Sequence, residues 1–151
     1  MEIKSIYPLE MQKPKGHYSP AIVYNGLVFV SGQLPLDANG EAQLGTIEEQ
    51  TTLCMKNIET ILRSCNSDLN HILKTNVFIA DIANWPKFNE TYSKIMGDHR
   101  PARVVVPCGM LNRGCGIEID CVAAIKSYGN KIDLSAGNAK AKRSLLTCYC
   151  L

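Results

Sequence analysis

The sequence predicts an α+β fold, with one antiparallel or mixed β-sheet and two helices packed on one of its faces. Five short segments are rich in β-branched and aromatic residues, and two longer segments place apolar residues at helical spacing. Their order is strand, strand, helix, strand, helix, strand, strand, which favours one shared sheet over a regular βα repeat. At 151 residues the chain is long enough for one domain but short for two separate cores.

The first two strands are predicted over residues 21–25 and 27–33. Both are rich in Val, Ile, Phe and Tyr, and Asn25-Gly26 between them is typical of a hairpin turn. Residues 34–45 are predicted to form a loop, because Pro, Asp, Asn and Gly interrupt every regular pattern there.

The first helix is predicted to begin after Thr46. The Thr46 side chain can cap the helix N-terminus, and Glu49 three residues later completes a capping box. Apolar residues then recur at helical spacing at Cys54, Ile58, Ile61, Leu62 and Cys65. One stripe of this helix is therefore expected to face the core.

The third strand is predicted over residues 72–80 and the second helix over residues 85–96. Pro86 suits the first turn of that helix. Its buried side is expected to consist of Phe88, Tyr92, Ile95 and Met96.

The last two strands are predicted over residues 104–106 and 116–125. Side chains alternate between the two faces of a strand. We expect one face to line the core, with Val104 and Val106 of one strand and Ile117, Ile119 and Cys121 of the other. Arg103 and Glu118 are then expected to project together from the uncovered face of the sheet. A hairpin through residues 109–114 would make these two residues cross-strand neighbours, within roughly 5 Å at Cβ. The alternative interpretation is an exposed ion pair with no function, worth only ~0–1 kcal/mol.

Charge and cysteine content narrow the class of protein. The net charge is +2, and residues 127–151 carry four Lys or Arg and one Asp, which leaves about −1 for residues 1–126. We therefore predict a folded domain over residues 1–126, a basic extension over 127–151, and no nucleic-acid partner. No segment resembles a signal peptide or a membrane span, and seven cysteines predict free thiols in the cytoplasm. Their spacing fits no metal site.

One stretch near the end of the predicted domain, together with three shorter blocks, resembles a known family. The pattern consists of Pro101-Ala102-Arg103, Val106, Gly109, Leu111 and Ile117-Glu118-Ile119. The shorter blocks are G-H-Y-S-P-A from Gly16, V-S-G-Q-L-P from Val30 and N-E-T-Y from Asn89. By these motifs the chain is identified as a member of the Rid family, the reactive intermediate deaminases also called YjgF. The chain departs from the usual pattern at His17, Pro107 and Asn112.

The resemblance implies a chorismate-mutase-like fold and a homotrimer with active sites at the subunit interfaces. It also implies hydrolysis of reactive 2-imino and 2-enamino acids, such as 2-aminoacrylate and 2-iminopropionate, to 2-keto acids and ammonia. No metal and no organic cofactor is expected, and no membrane partner. Two other functions stay open: a non-catalytic module that binds 2-keto or amino acids, and an endoribonuclease or translation inhibitor.

The same resemblance assigns roles to individual residues. Arg103 matches the residue that binds the substrate carboxylate, and Glu118 matches the one that positions water. Matches to residues that line the site are Tyr18, Ser31, Gly32 and Asn89, and Val105 matches one whose backbone carbonyl faces the substrate nitrogen.

Residue chemistry supports these roles without the resemblance. A guanidinium makes two parallel hydrogen bonds to a carboxylate, which Lys cannot reproduce. A carboxylate beside a bound imine can accept a proton from an attacking water. Ser31 stands at no recognisable spacing from a His and an acid, so a hydrolase triad is not expected. Packing or surface roles remain the alternatives for Tyr18, Gly32 and Asn89.

Overall fold

The computed structural model describes residues 2–126, which form six strands on one sheet and two main helices. The order of strands across the sheet is β1-β2-β3-β6-β4-β5, with β4 and β5 parallel and every other neighbouring pair antiparallel. The strands are β1 (Lys4–Ile6), β2 (Ala21–Tyr24), β3 (Leu27–Gln33), β4 (Ile72–Ile79), β5 (Ala102–Pro107) and β6 (Ile117–Ala124). The predicted mixed sheet is therefore confirmed.

Two helices cover one face of this sheet. Helix α1 spans Ile47–Ser64 and helix α2 spans Trp85–Met96, and their buried side chains form a single core with alternate residues of the strands. The predicted capping box is present, since Thr46 N donates to Glu49 Oε2 at 2.7 Å and Glu49 N to Thr46 Oγ1 at 3.3 Å. No helix within residues 2–126 has the length and apolar character needed to cross a bilayer.

All seven predicted elements are confirmed, and one strand was missed. Strand β1 is only three residues long and pairs with β2, so it gives no alternating pattern in the sequence. The predicted extension at 127–151 lies outside the described residues, and the division at residue 126 therefore stays a prediction.

The predicted hairpin between the last two strands is wrong. Within residues 2–126, strand β5 pairs only with β4, in parallel, while β6 lies between β3 and β4. Helix α2 connects β4 to β5, and such a crossover brings the second strand back parallel to the first. Residues 108–116 then carry the chain past the end of β4 to its other side.

The faces of β5 are also the reverse of the prediction. Val105 packs against the core, whereas Val104 and Val106 are 42% and 38% exposed on the uncovered face. Phe29 is 42% exposed on the same face, two strands beyond β4. This face is thus a sheet surface with aromatic and aliphatic side chains that nothing within residues 2–126 covers.

Candidate active site

Arg103 lies on the edge strand β5, with its side chain toward helix α2. Its Nη2 donates to Asn89 Oδ1 at 2.8 Å, and its guanidinium carbon lies 5.4 Å from the ring centroid of Phe88 and 5.0 Å from that of Tyr92. Both aromatic rings are buried. The two rings and the amide hold the guanidinium in place without neutralising it, because cation–π contacts and an amide oxygen leave its charge intact.

The aromatic support of Arg103 is itself fixed in the core. Tyr92 Oη and Thr75 Oγ1 lie 3.1 Å apart, and the Thr75 side chain is fully buried. Thr75 is also the register partner of Arg103 across β4 and β5. Strand register and the buried hydrogen bond therefore position the same guanidinium from two directions. We call Arg103, Asn89, Phe88 and Tyr92 the arginine half-site.

A β-bulge in β3 presents Ser31 and Gly32. Val30 pairs with Cys121 and Gln33 with Ile119, so β3 has one extra residue in this interval. Gln33 is buried, and its Nε2 donates to the carbonyl oxygen of Ser31 at 2.8 Å. The amide side chain of Gln33 thus stabilises the irregular backbone.

Glu118 lies directly against this bulge. A methyl group placed on Gly32 would be 2.1 Å from Glu118 Oε1, so the carboxylate occupies the space that a side chain at position 32 would take. Burial raises the pKa of Glu118, and the neighbouring Asp120 carboxylate raises it further. Glu118 forms no ion pair within residues 2–126.

The loop that carries Tyr18 is tied to the same bulge. Ser31 Oγ donates to the carbonyl oxygen of Ser19 at 2.7 Å, and Ser31 N donates to that of Pro20 at 3.0 Å. The Ser31 hydroxyl therefore helps to hold the loop in place. Tyr18 itself is 54% exposed. We call Tyr18, Ser31, Gly32 and Glu118 the glutamate half-site.

The two half-sites lie on opposite faces of the sheet. Arg103 is in register with Thr75 and Cys121 on the helix-covered face, whereas Glu118 is in register with Phe78 on the uncovered face. The prediction that Arg103 and Glu118 leave the same face as neighbours is therefore wrong. Neither residue forms an ion pair within the described chain, so the functionless ion pair is also wrong.

Other residues with a part in the site were not identified from the sequence. Phe88 and Tyr92 were expected only as core residues. The sequence did contain a signal, because residues three and four positions apart share one side of a helix, and this places Phe88, Asn89 and Tyr92 together on α2. No local pattern indicated the roles of Asp120 and Gln33. Asp120 acts through its proximity to Glu118, whose pKa it raises, and Gln33 acts by bonding to the backbone of the β3 bulge. Within residues 2–126, no group of three or more His, Cys, Asp or Glu side chains is arranged to hold a metal ion.

Comparison with known proteins identifies the family. The family model described as endoribonuclease L-PSP matches residues 10–125. The chain belongs to this family. The match includes every residue of both half-sites, and the predicted membership of the Rid family, of which L-PSP is another name, is confirmed.

The chain is similar in sequence to a curated relative and in fold to two solved structures. The mitochondrial protein mmf1 of Schizosaccharomyces pombe is 38% identical over 111 residues, which cover 72% of this chain and 68% of that protein. YyfA of Yersinia pestis, a solved member of the Rid family, superposes with a TM-score of 0.79 at 31% identity, covering 82% of this chain and 100% of that one. TdcF of Escherichia coli, solved with bound serine, superposes with a TM-score of 0.76 at 26% identity. The superposition covers 82% of this chain and 99% of TdcF.

Proposed function

We propose that this protein hydrolyses 2-imino and 2-enamino acids to 2-keto acids and ammonia, in sites formed between copies of the chain. The arginine half-site of one copy binds the substrate carboxylate, and the glutamate half-site of another positions water. The observation that carries the proposal is that Arg103, held by Asn89, and Glu118, packed against Gly32, form no ion pair within residues 2–126.

The arginine half-site supports recognition of a small carboxylate. Asn89 takes one N–H of the guanidinium, which leaves further N–H groups for a ligand. Two aromatic rings limit the rotation of the side chain, so less freedom is lost when a carboxylate binds. A charge-assisted bond of this type contributes about 1.5–3 kcal/mol.

The glutamate half-site supports proton transfer. The raised pKa of Glu118 makes its carboxylate a better proton acceptor than an ordinary glutamate. In the proposed reaction Glu118 accepts a proton from water while the water oxygen bonds to C2 of the protonated imine. Glu118 then returns this proton to the nitrogen of the carbinolamine. As the C–N bond breaks and the C=O bond forms, Glu118 accepts the hydroxyl proton, and the departing ammonia takes that proton away as ammonium. Serine bound to the related TdcF supports a site that takes a small amino-acid-like molecule.

The uncovered sheet face supports association of copies. Val104, Val106 and Phe29 are too apolar to favour exposure to water, and β5 is an edge strand with unpaired backbone groups. Closed cyclic assemblies bury one face of every copy in the same way. A trimer is the number that the family resemblance implies, and we propose it here together with a cytoplasmic location.

The first experiment measures decay of 2-iminopropionate, generated by a dehydratase and trapped with semicarbazide. We expect Arg103→Lys to raise KM and Glu118→Gln to lower kcat. Arg100→Lys is the matched control, because Arg100 is an exposed arginine three residues away outside both half-sites. Equal decay rates for wild type and Arg103→Lys would contradict the proposal.

A second experiment tests whether two copies share each site. Arg103→Ala and Glu118→Ala are each expected to be inactive, but mixed trimers contain some sites with both residues intact. Random exchange in equal amounts predicts recovery of about one quarter of wild-type activity, since each site then needs the right chain on both sides. No recovery after verified subunit exchange would place the site within one chain.

Two other outcomes would assign a different function. Tight binding of 2-ketobutyrate in calorimetry without turnover of any imine would indicate a non-catalytic binding module. Cleavage of RNA that survives Arg103→Ala in a highly purified sample would indicate an endoribonuclease that does not use the arginine half-site.

A further inference from the structure

A cleft beside the glutamate half-site is lined by basic and hydroxyl-bearing residues. Its volume is ≈ 440 Å³, and Tyr7, Lys13, His17, Tyr18 and Ser19 contribute to its lining. No Asp or Glu lines it. The cleft thus presents an ammonium, an imidazole and three hydroxyl groups and no carboxylate, which favours an anionic ligand.

The backbone of the loop shapes the cleft. Tyr18 N donates to the carbonyl oxygen of Gly16 at 3.1 Å, which closes a tight turn. A side chain at Gly16 would lie 3.0 Å from Tyr18 Cε1, so the glycine lets the ring lie close to the turn. Two other lining residues are also in contact, since Tyr7 Oη and Ser19 Oγ are 3.0 Å apart. These contacts hold both hydroxyl groups and the tyrosine ring at defined positions around the opening.

The cleft adjoins the glutamate half-site through a shared residue, Tyr18. Tyr18 belongs to both, and Ser19 is bonded through its carbonyl oxygen to Ser31, the neighbour of Gly32. Glu118 lies against Gly32.

Lys13 is available to an anionic ligand. No carboxylate of residues 2–126 lies within ion-pair distance of its ammonium group. Lys15, two residues further on, is also exposed but does not line the cleft. The two lysines share charge, loop and exposure, and they differ only in their position relative to the cleft.

From this arrangement we propose that the cleft binds a second carboxylate, so that the enzyme prefers 2-imino dicarboxylic acids over monocarboxylic ones. This inference rests on the proposed function, because it extends the same site. Lys13 supplies the charge, and the Tyr7 and Tyr18 hydroxyls donate hydrogen bonds to the carboxylate oxygens. The residues of the cleft determine specificity and take no part in the proton transfer.

The binding test compares 2-oxoglutarate with 2-oxopentanoate by calorimetry. Both have a five-carbon chain, and they differ only in the second carboxylate. We expect wild type to bind 2-oxoglutarate more tightly, Lys13→Gln to reduce that preference roughly tenfold, and Lys13→Arg to retain most of it. Lys15→Gln is the matched control and should keep the wild-type preference. The preference should also fall as salt rises.

The turnover test uses the corresponding imines, generated in situ by amino-acid oxidases from glutamate and norvaline. We expect Lys13→Gln to lower kcat/KM more for the dicarboxylic imine than for the monocarboxylic one. If wild type shows no preference for the dicarboxylic ligand, the cleft is not a carboxylate site. The same conclusion follows if Lys13→Gln and Lys15→Gln change that preference equally. If no imine is turned over, the proposed function fails, and the binding test still decides whether the cleft recognises the second carboxylate.

Discussion

Adding one methyl group at Gly32 is expected to displace the Glu118 carboxylate. In Gly32→Ala the new Cβ would lie 2.1 Å from Oε1 and 3.0 Å from Cδ of Glu118. The backbone φ of Gly32 lies outside the left-handed region, so alanine introduces no backbone strain there. The clash involves only the end of a flexible side chain, and the side chain rather than the strand is expected to move.

The size of the effect follows from that distance. Non-bonded carbon and oxygen atoms do not approach closer than about 3 Å, so the carboxylate has to shift by about 1 Å, and a displacement of that size costs roughly 10²-fold in rate. Stability is expected to change little, because the displaced carboxylate makes no ion pair within residues 2–126. The predicted result is a large fall in kcat with a nearly unchanged unfolding midpoint.

The chain offers a matched control at Gly45. A methyl group there would lie 2.2 Å from Glu49 Oε2, which is the same kind of clash with a glutamate carboxylate. Glu49 belongs to the capping box of α1 and not to the site, so Gly45→Ala should lower stability by up to about 1 kcal/mol and leave kcat unchanged. Both variants are compared by imine turnover and by urea unfolding.

The reasoning is refuted if Gly32→Ala keeps wild-type kcat while a crystal structure shows the carboxylate displaced. It is equally refuted if Gly45→Ala loses as much activity as Gly32→Ala, since the loss would then follow from the added methyl group in general.

Three further predictions concern the groups around the site and the core. Tyr92→Phe leaves the buried Thr75 hydroxyl without its partner and should cost about 1–3 kcal/mol in urea unfolding, whereas adding Thr75→Val should recover most of it. Asp120→Asn should move the acidic limb of the kcat/KM profile to lower pH, because it removes a charge that raises the pKa of Glu118; an unmoved limb would exclude Glu118 as the titrating base. Hydrogen bonds from His71 and Lys126 lower the pKa of Asp68 from 3.8 to about 2. The ionised Asp68 therefore stabilises the folded state above pH 3.8, and this stabilisation is lost as pH falls toward 2. Asp68→Asn should therefore weaken the pH dependence of unfolding in that window, and identical curves would contradict the assignment.

The sequence alone determined the local elements and the chemical character of the site. The capping residues Thr46 and Glu49 and the Asn25-Gly26 turn are short-range features, and they were found where predicted. The family resemblance assigned site roles to Arg103, Asn89, Tyr18, Ser31, Gly32 and Glu118, but it assigned none to Phe88 and Tyr92.

Only the tertiary structure decided how those residues are placed. The periodicity of β5 fixes that Arg103 and Val104 point to opposite faces, but it does not say which face the helices cover. That choice depends on the parallel pairing of β5 with β4, which is a long-range contact made through α2. The same pairing separates Arg103 from Glu118, and the bulge beside Gly32 positions the carboxylate. Strand order and register are set by how the whole core packs, so they cannot be read from a segment of sequence.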